Sequence, residues 1–573
     1  MARPRSGENG ELKIQYQRDK NGNVYAYTNT SYMENGEKRN KRTYLGRVDP
    51  ETGGILPRVP GRSKEEKEAK KAESAIKELD RLHYADYGGV HFLDQVQRRV
   101  GVGECLARAF GTSSRKILAC SIALCLADGG SFCDIGDVAE TTWLTEYYGL
   151  KTSFDSGTLS KLTKSIGMSM DNIDEYYRYR VAGSMGVIAW DTTTKGTNTE
   201  MDGFADWVVG NKDGEDIRQV KVGVATDMRG VPLMERHFPG TLSDMDTVRY
   251  MIEDLRRFGR EDAVLVMDRG FASGVNIKDL VDLGASFVVP AVDTWAGIKN
   301  AITEMRNNRL GRDEVFEGHA YRVWETELAF EEHPVRRVVD GRKAQSIVLP
   351  GSDGEDGGTR VKAFVVYDSK KYSDENQSMM VLMDDLMKRV TEIDAKDPVK
   401  AFRKMAGRSF GLFDVVADGR KAVVRPRVKT VSGRRNKMGY FVMLCSDDMT
   451  WESMMAAYDA RRLTEQEFDE DKGTDRRFRT GNRQTMEGRM FIRHISTTLK
   501  CEIRATMREA GLDRRMPAQS AINRANAISG ICSDGVCSIR NVTKNARTIY
   551  ELFGFELPTT IERGVMICDV EKL

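Results

Sequence analysis

Residues 186–191 read GVIAWD and residues 263–270 read AVLVMDRG. Each is a short apolar run that stops on an acid, as expected of a buried strand whose last side chain faces solvent. Between them, VKVGVATD (220–227), a glycine turn and VPLMERHFP (231–239) read as a hairpin. SDMDTVRYMIEDLRRFG (243–259) reads as a helix capped by Ser243 or Asp244. NIKDLVDLG (276–284) is a short helix and SFVVPAV (286–292) a further strand. Strand, hairpin, helix, strand, helix, strand is the layout of an α/β sheet. Ligands and metals gather outside the carboxyl ends of strands in such sheets. Asp191 and Asp268 are therefore candidates for one site, although an acid after a strand is more often an ordinary turn or cap residue.

Outward from this core, residues 1–62 read as short strands broken by Asn-Gly and Asp-Pro signals, a small β-rich N-terminal domain. Residues 63–185 have helical composition. The core occupies 186–291. A β-rich insertion is expected at 292–438, the core resumes at 439–500, and 501–573 read as a helical C-terminal region. The strand GYFVMLCS (439–446) opens the second half of the core, and a helix is expected from about 450 to 472.

Length and composition set limits. A chain of 573 residues is too long for one ordinary core, so about three to five domains or sub-domains are expected. The net charge of +2 does not by itself indicate a nucleic-acid partner, but basic residues cluster at Lys38–Arg42, Arg420–Lys437 and RRFRTGNR (476–483). The start, MARPRSGENGELK, has no apolar leader pattern. The apolar run ILACSIALCLA (117–127) is too short to span a bilayer and reads as a buried helix, so no membrane partner is expected. Nine cysteines without paired spacing suit a reducing cytoplasm. The histidines form no ligand cluster, and HExxH, P-loop and GxSxG motifs are missing.

The segment YDARRLTEQEFDEDK (458–472) carries the most specific pattern. Tyr458, Arg461, Glu465 and Lys472 fall within a stripe roughly 60° wide on a helix, with Glu467 on the opposite side. Arg461 and Glu465 could simply be a solvated i,i+4 pair. That does not explain the aromatic on the same stripe, or a helix following directly on a returning core strand.

Tyr458-x2-Arg461-x3-Glu465-x6-Lys472 resembles the signature of one branch of the bacterial insertion-sequence DDE transposases. Asp191-Thr-Thr resembles the family's first acid motif and Asp268-Arg-Gly-Phe its second. Gly230-Val-Pro-Leu and PGTLSD (239–244) resemble the hairpin and following helix, and SYMENGEKRNKRTYLGRVDPETGGILP (31–57) the start of such proteins. Around 210–213 the chain reads Gly-Asn-Lys-Asp where the family usually has Ser-Lys-Asp. The resemblance implies a ribonuclease-H-like catalytic fold in which Asp191, Asp268 and Glu465 hold two Mg2+ ions, with Mn2+ able to substitute. It implies phosphate or base contacts from Tyr458, Arg461 and Lys472, a DNA-binding role for the helical region 63–185, and double-stranded DNA as partner, both transposon terminal inverted repeats and target, bound by a homodimer in the bacterial cytoplasm. Two other readings are a phosphatase with an Asp nucleophile, which lacks its second Asp because position 193 is Thr, and a DNA-binding relic of a transposase.

Overall fold

The computed structural model describes residues 14–34, 36–57, 70–71, 73, 83–127, 130–184, 186–201, 203–207, 217–330, 337–339, 342–344, 347–348, 359–459, 461, 463, 477–533, 536–540, 542–557 and 560–562. Glu465 and Lys472 lie outside the described residues, as do residues 210–213.

The chain divides into two units, 1–83 and 84–573. In the first, Ile14–Arg18, Val24–Glu34, Glu37–Val48 and Ile55–Pro57 form an antiparallel four-stranded sheet in chain order. The Lys38–Arg42 tract lies on an exposed stretch of its third strand, where Arg42 covers the Tyr27 ring at 3.8 Å.

The second unit is organised on one large mixed sheet. Its strands are β1 (Val187–Thr197), β2 (Arg218–Thr226), β3 (Pro232–Pro239), β4 (Val264–Met267), β5 (Phe287–Pro290), β6 (Arg312–Phe316), β7 (His319–Phe330), β8 (Thr359–Asp368) and β9 (Tyr440–Cys445). Five strands run β3-β2-β1-β4-β5. β2 is antiparallel to both of its neighbours, β1 and β3, whereas β4 lies parallel to β1 and β5 parallel to β4. Helix α1 (Asp244–Arg257) makes the crossover into β4 and α2 (Gly274–Asp282) the crossover into β5. Side chains alternate across the sheet. Ile188, Trp190, Leu265, Met267, Phe287 and Val289 face one core, which includes the helices of residues 88–182. Val187, Ala189, Val266 and Val288 face a second core closed by Trp451, Met454 and Ala457.

Three expectations need correction. Asp191 is not at the end of its strand: β1 continues through Thr197, because the β-branched Thr192, Thr193 and Thr194 extend it against Lys221–Gly223 of β2. The acid terminates only the part of β1 that is paired with β4.

The insertion is not simply β-rich. It contains helices α3 (Ala296–Asn308) and α4 (Ser369–Arg389), as well as Pro398–Ala406 and Val428–Arg435. Its strands β6, β7 and β8 extend the central sheet, because β9 inserts between β5 and β8 and pairs antiparallel with both.

The C-terminal region is not wholly helical either. Ser529–Ser533 and Val536–Arg540 form a hairpin that joins a small sheet with His83–Asp86. The β-branched Ile531 and Ile539 favour extended backbone there over helix.

The apolar helix Ser114–Leu126 is buried, with the Ser121 hydroxyl donating to Ile492 O at 3.1 Å. Its partner is the long helix Arg483–Glu509, which also meets Ser156–Met168 so closely that a Cβ on Gly488 would lie 1.8 Å from Thr163 O.

Two predictions concern this packing. Trp451 is 1% exposed, so Trp451→Ala should cost about 3–5 kcal/mol, read as a lower denaturant midpoint. The second concerns four buried groups on the same side of the sheet as Asp191. His237 donates from Nε2 to Glu235 at 2.6 Å and from Nδ1 to Glu487 at 2.5 Å, and His494 lies 3.8 Å from Glu235. Burial alone would lower the His237 pKa, but the Glu487 and Glu235 carboxylates outweigh it and push it up to about 10. A folded-state pKa raised above its unfolded value stabilises fully below about pH 6.5 and is lost as pH rises through about 10. Stability should therefore fall between these values, and His237→Gln should flatten that slope in thermal melts across the same range.

Candidate functional site

The parallel register of β1 and β4 decides the geometry. Val264 pairs with Val187 and Met267 with Trp190, so Asp268 and Asp191 are the next residues on adjoining strands. Strands in a sheet lie about 4.8 Å apart. Asp268 keeps an extended backbone, φ −79° and ψ 164°, so the alternation carries through to it. Both acids therefore belong to the face of Val266, Ala189 and Val187, the face covered by the helix at 451–459.

Local hydrogen bonds fix each acid. The Asp268 Oδ1 accepts from Arg269 N at 2.6 Å and caps the turn Arg269–Phe271. The Asp191 Oδ1 accepts from Thr192 N at 2.7 Å. On the opposite face of β1, the Thr192 hydroxyl donates to Asp244 Oδ1 at 2.8 Å, and the buried Lys221 ammonium holds the same oxygen at 2.5 Å. The N-terminus of α1 is thus tied to the strand one residue beyond Asp191.

The helix at 451–459, with residues 461 and 463 also helical, carries two of the other candidates to this place. Arg461 is only 14% exposed, and its Nη2 lies 3.4 Å from Asp268 Oδ2. Its guanidinium stands 5.9 Å from the centre of the Tyr458 ring. Met454 and Ala457 anchor the helix in the core beneath the sheet. At its far end, Leu463 touches the β2–β3 turn. Gly230 there has φ +75°, and a Cβ on it would lie 2.6 Å from Leu463 Cβ, so only glycine permits this approach. Asp191, Asp268, Tyr458 and Arg461 are brought together. The proposed third acid, Glu465, follows Leu463 by two residues and is outside the described residues.

A cleft of about 1070 Å³ opens beside Asp268. Arg269, Asp293, Lys299, Lys371, Lys437 and Tyr458 are among its lining residues, over an apolar floor that includes Ile298 and Val442. Trp451 and Trp295 are core residues, 1% and 6% exposed, and neither presents a face for base stacking. The Glu235–His237–Glu487–His494 cluster was not anticipated. Its signals were present in the spacing: Glu235 and His237 are two apart on one strand, and Glu487 and His494 seven apart on one helix.

Chemically, the two aspartates are hard oxygen donors of the kind that suit Mg2+ or Mn2+. The Asp268 carboxylate already pairs with one cation, the Arg461 guanidinium. Among the described residues no group of three or more His, Cys, Asp or Glu is arranged to hold a metal.

No curated protein matches the chain. Among solved structures, a piggyBac transposase synaptic complex with hairpin DNA aligns at 10% identity and a TM-score of 0.35, covering 73% of this chain and 71% of that one. A likeness that distant carries no argument. The family model described as "Transposase DDE domain" matches residues 183–499, a span that opens just before β1 and takes in both aspartates, the insertion and the helix of Tyr458 and Arg461. That match covers more than half of the sequence, and the chain belongs to the DDE transposase family.

Proposed function

We propose that this chain is the transposase of an insertion sequence, cutting DNA at the element's terminal inverted repeats and joining the freed 3′ ends to target DNA. The observation that carries the reading is the side-by-side placement of Asp191 and Asp268, with Arg461 of the covering helix reaching Asp268. The strand order β3-β2-β1-β4-β5 supports a ribonuclease-H-like core.

In this reading Asp191, Asp268 and Glu465 hold two divalent ions, Mg2+ or Mn2+. Bound there, such ions activate the attacking oxygen and stabilise the leaving one. The protein's own groups do the rest. Asp191 sits in mid-strand, where pairing with Val224 and the hydrogen bond from Thr192 N hold it in place. Arg461 neutralises a phosphate brought against Asp268, and Tyr458 borders the cleft where that strand lies. Lys472, seven residues after Glu465 in the sequence, adds a further positive charge for the DNA phosphates. A homodimer, each copy holding one transposon end, fits cut-and-paste joining in the cytoplasm.

The test is cleavage of a duplex carrying the inverted repeats that flank the gene. Cleavage should require Mg2+ or Mn2+, and Asp191→Asn, Asp268→Asn and Glu465→Gln should each abolish it. If all three variants cut normally, the two-metal assignment is wrong. Lys472→Ala should weaken binding to the same duplex while leaving Mn2+ binding unchanged; an unaltered affinity would remove its phosphate role.

A further inference from the structure

Residues 396–437 carry thirteen Lys and Arg against three Asp and no Glu. They fold around a small core of their own, built on Phe402, Leu412, Phe413 and Ala422 and packed against Met379, Met383 and Leu386 of α4. The charge within this lobe is not evenly spread. The hairpin Phe413–Asp418/Lys421–Pro426 holds two of the acids, and register puts Asp418 opposite Lys421 and Asp414 opposite Arg425. Asp414 also takes Arg427 at 2.7 Å. Its outer face is therefore close to neutral.

The two helices differ. Pro398–Ala406 and Val428–Arg435 both pack against the turn Gly407–Leu412. Neither helix nor the turn contains an acid; the third aspartate of the lobe, Asp397, caps the first helix by accepting from Lys400 N at 2.9 Å. Lys400, Arg403, Lys404, Arg408, Lys429 and Arg434 are all exposed on these elements. Two residues after the second helix, Lys437 lines the cleft that ends at Asp268. The acid-free ridge is thus continuous with the site wall.

We propose that these two helices and the turn between them form a second DNA contact, a phosphate-backbone ridge that receives the duplex as it leaves the cleft beside Asp268. An acid-free array of Lys and Arg matches the regular negative charge of a DNA backbone, and Lys437 joins it to the place where the reacting strand would lie. Contacts to the phosphate backbone contribute affinity and direction without sequence preference. The inference rests on the transposase reading above.

The test is fluorescence anisotropy with a mixed-sequence 30-base-pair duplex, titrated between 50 and 200 mM salt without divalent metal. Each phosphate contact contributes about 0.9 to the slope of log K against log salt. The quadruple variant Lys400→Ala/Lys404→Ala/Lys429→Ala/Arg434→Ala should lower the slope by about 2 to 4 and weaken binding most at low salt. The hairpin variant Lys421→Ala/Arg425→Ala should stay close to wild type. Circular dichroism and melting of both variants establish that the exposed substitutions leave the fold intact. A quadruple variant with the wild-type slope, or a hairpin variant with the larger loss, would overturn the ridge. A wild-type chain that failed to bind the duplex would instead remove the transposase reading on which it rests.

Discussion

Four residues of β4 lie beside four of β1 in parallel, from Val264 opposite Val187 to Met267 opposite Trp190. The candidate site depends on that pairing. A slip of one residue would turn every side chain of β4 to the other face, sending Asp268 into the core of Trp190 and Ile188 and away from Asp191. The register is held by sorting on both faces. Leu265 and Met267 complete one apolar core, and Val266 completes the other. Burial, a force without direction, thus becomes a directional device because the strand repeats every two residues.

The same face shows how a carboxylate pair can be positioned without being buried. Over β4, β5 and β9 the covering helix seals the apolar part with Trp451 and Met454, then presents Tyr458 and Arg461 where the apolar surface ends. Over β2 and β3 the cover is the long helix Arg483–Glu509, which brings Glu487 and His494 onto Glu235 and His237. Burial would raise the Glu235 pKa, but His237 and His494 hold it down at about 2. The acids left half open at Asp191 and Asp268 and those fully paired at Glu235 and Glu487 belong to one surface. Their different partners separate chemistry from structure.

Much of this was legible in the residues. GVIAWD and AVLVMD announced two buried strands, and the Tyr458–Arg461 spacing announced one helical stripe. What could not be read was pairing. The apolar run of β1 stops at Asp191, yet β2 supplies a partner and the strand continues through Thr197. The insertion looked separate because its strands are distant in sequence from the core. They join the same sheet because β9, which follows them, pairs on both sides. Single-sequence periodicity carries the face of a strand but not its neighbour. The buried histidine pair escaped for the same reason, since its members lie about 250 residues apart in the chain and meet only through packing.

The central claim is that Asp191, Asp268 and Glu465 hold metal together. Iron-mediated backbone cleavage tests it most directly. Fe2+ substituted for Mg2+, with ascorbate and peroxide, generates radicals that cut the nearest peptide bonds, and the fragments can be sized by mass spectrometry. The account predicts cuts clustered at 191, 268 and 465, all suppressed by excess Mg2+. Cuts near 191 and 268 with none near 465, or a pattern indifferent to Mg2+, would contradict it.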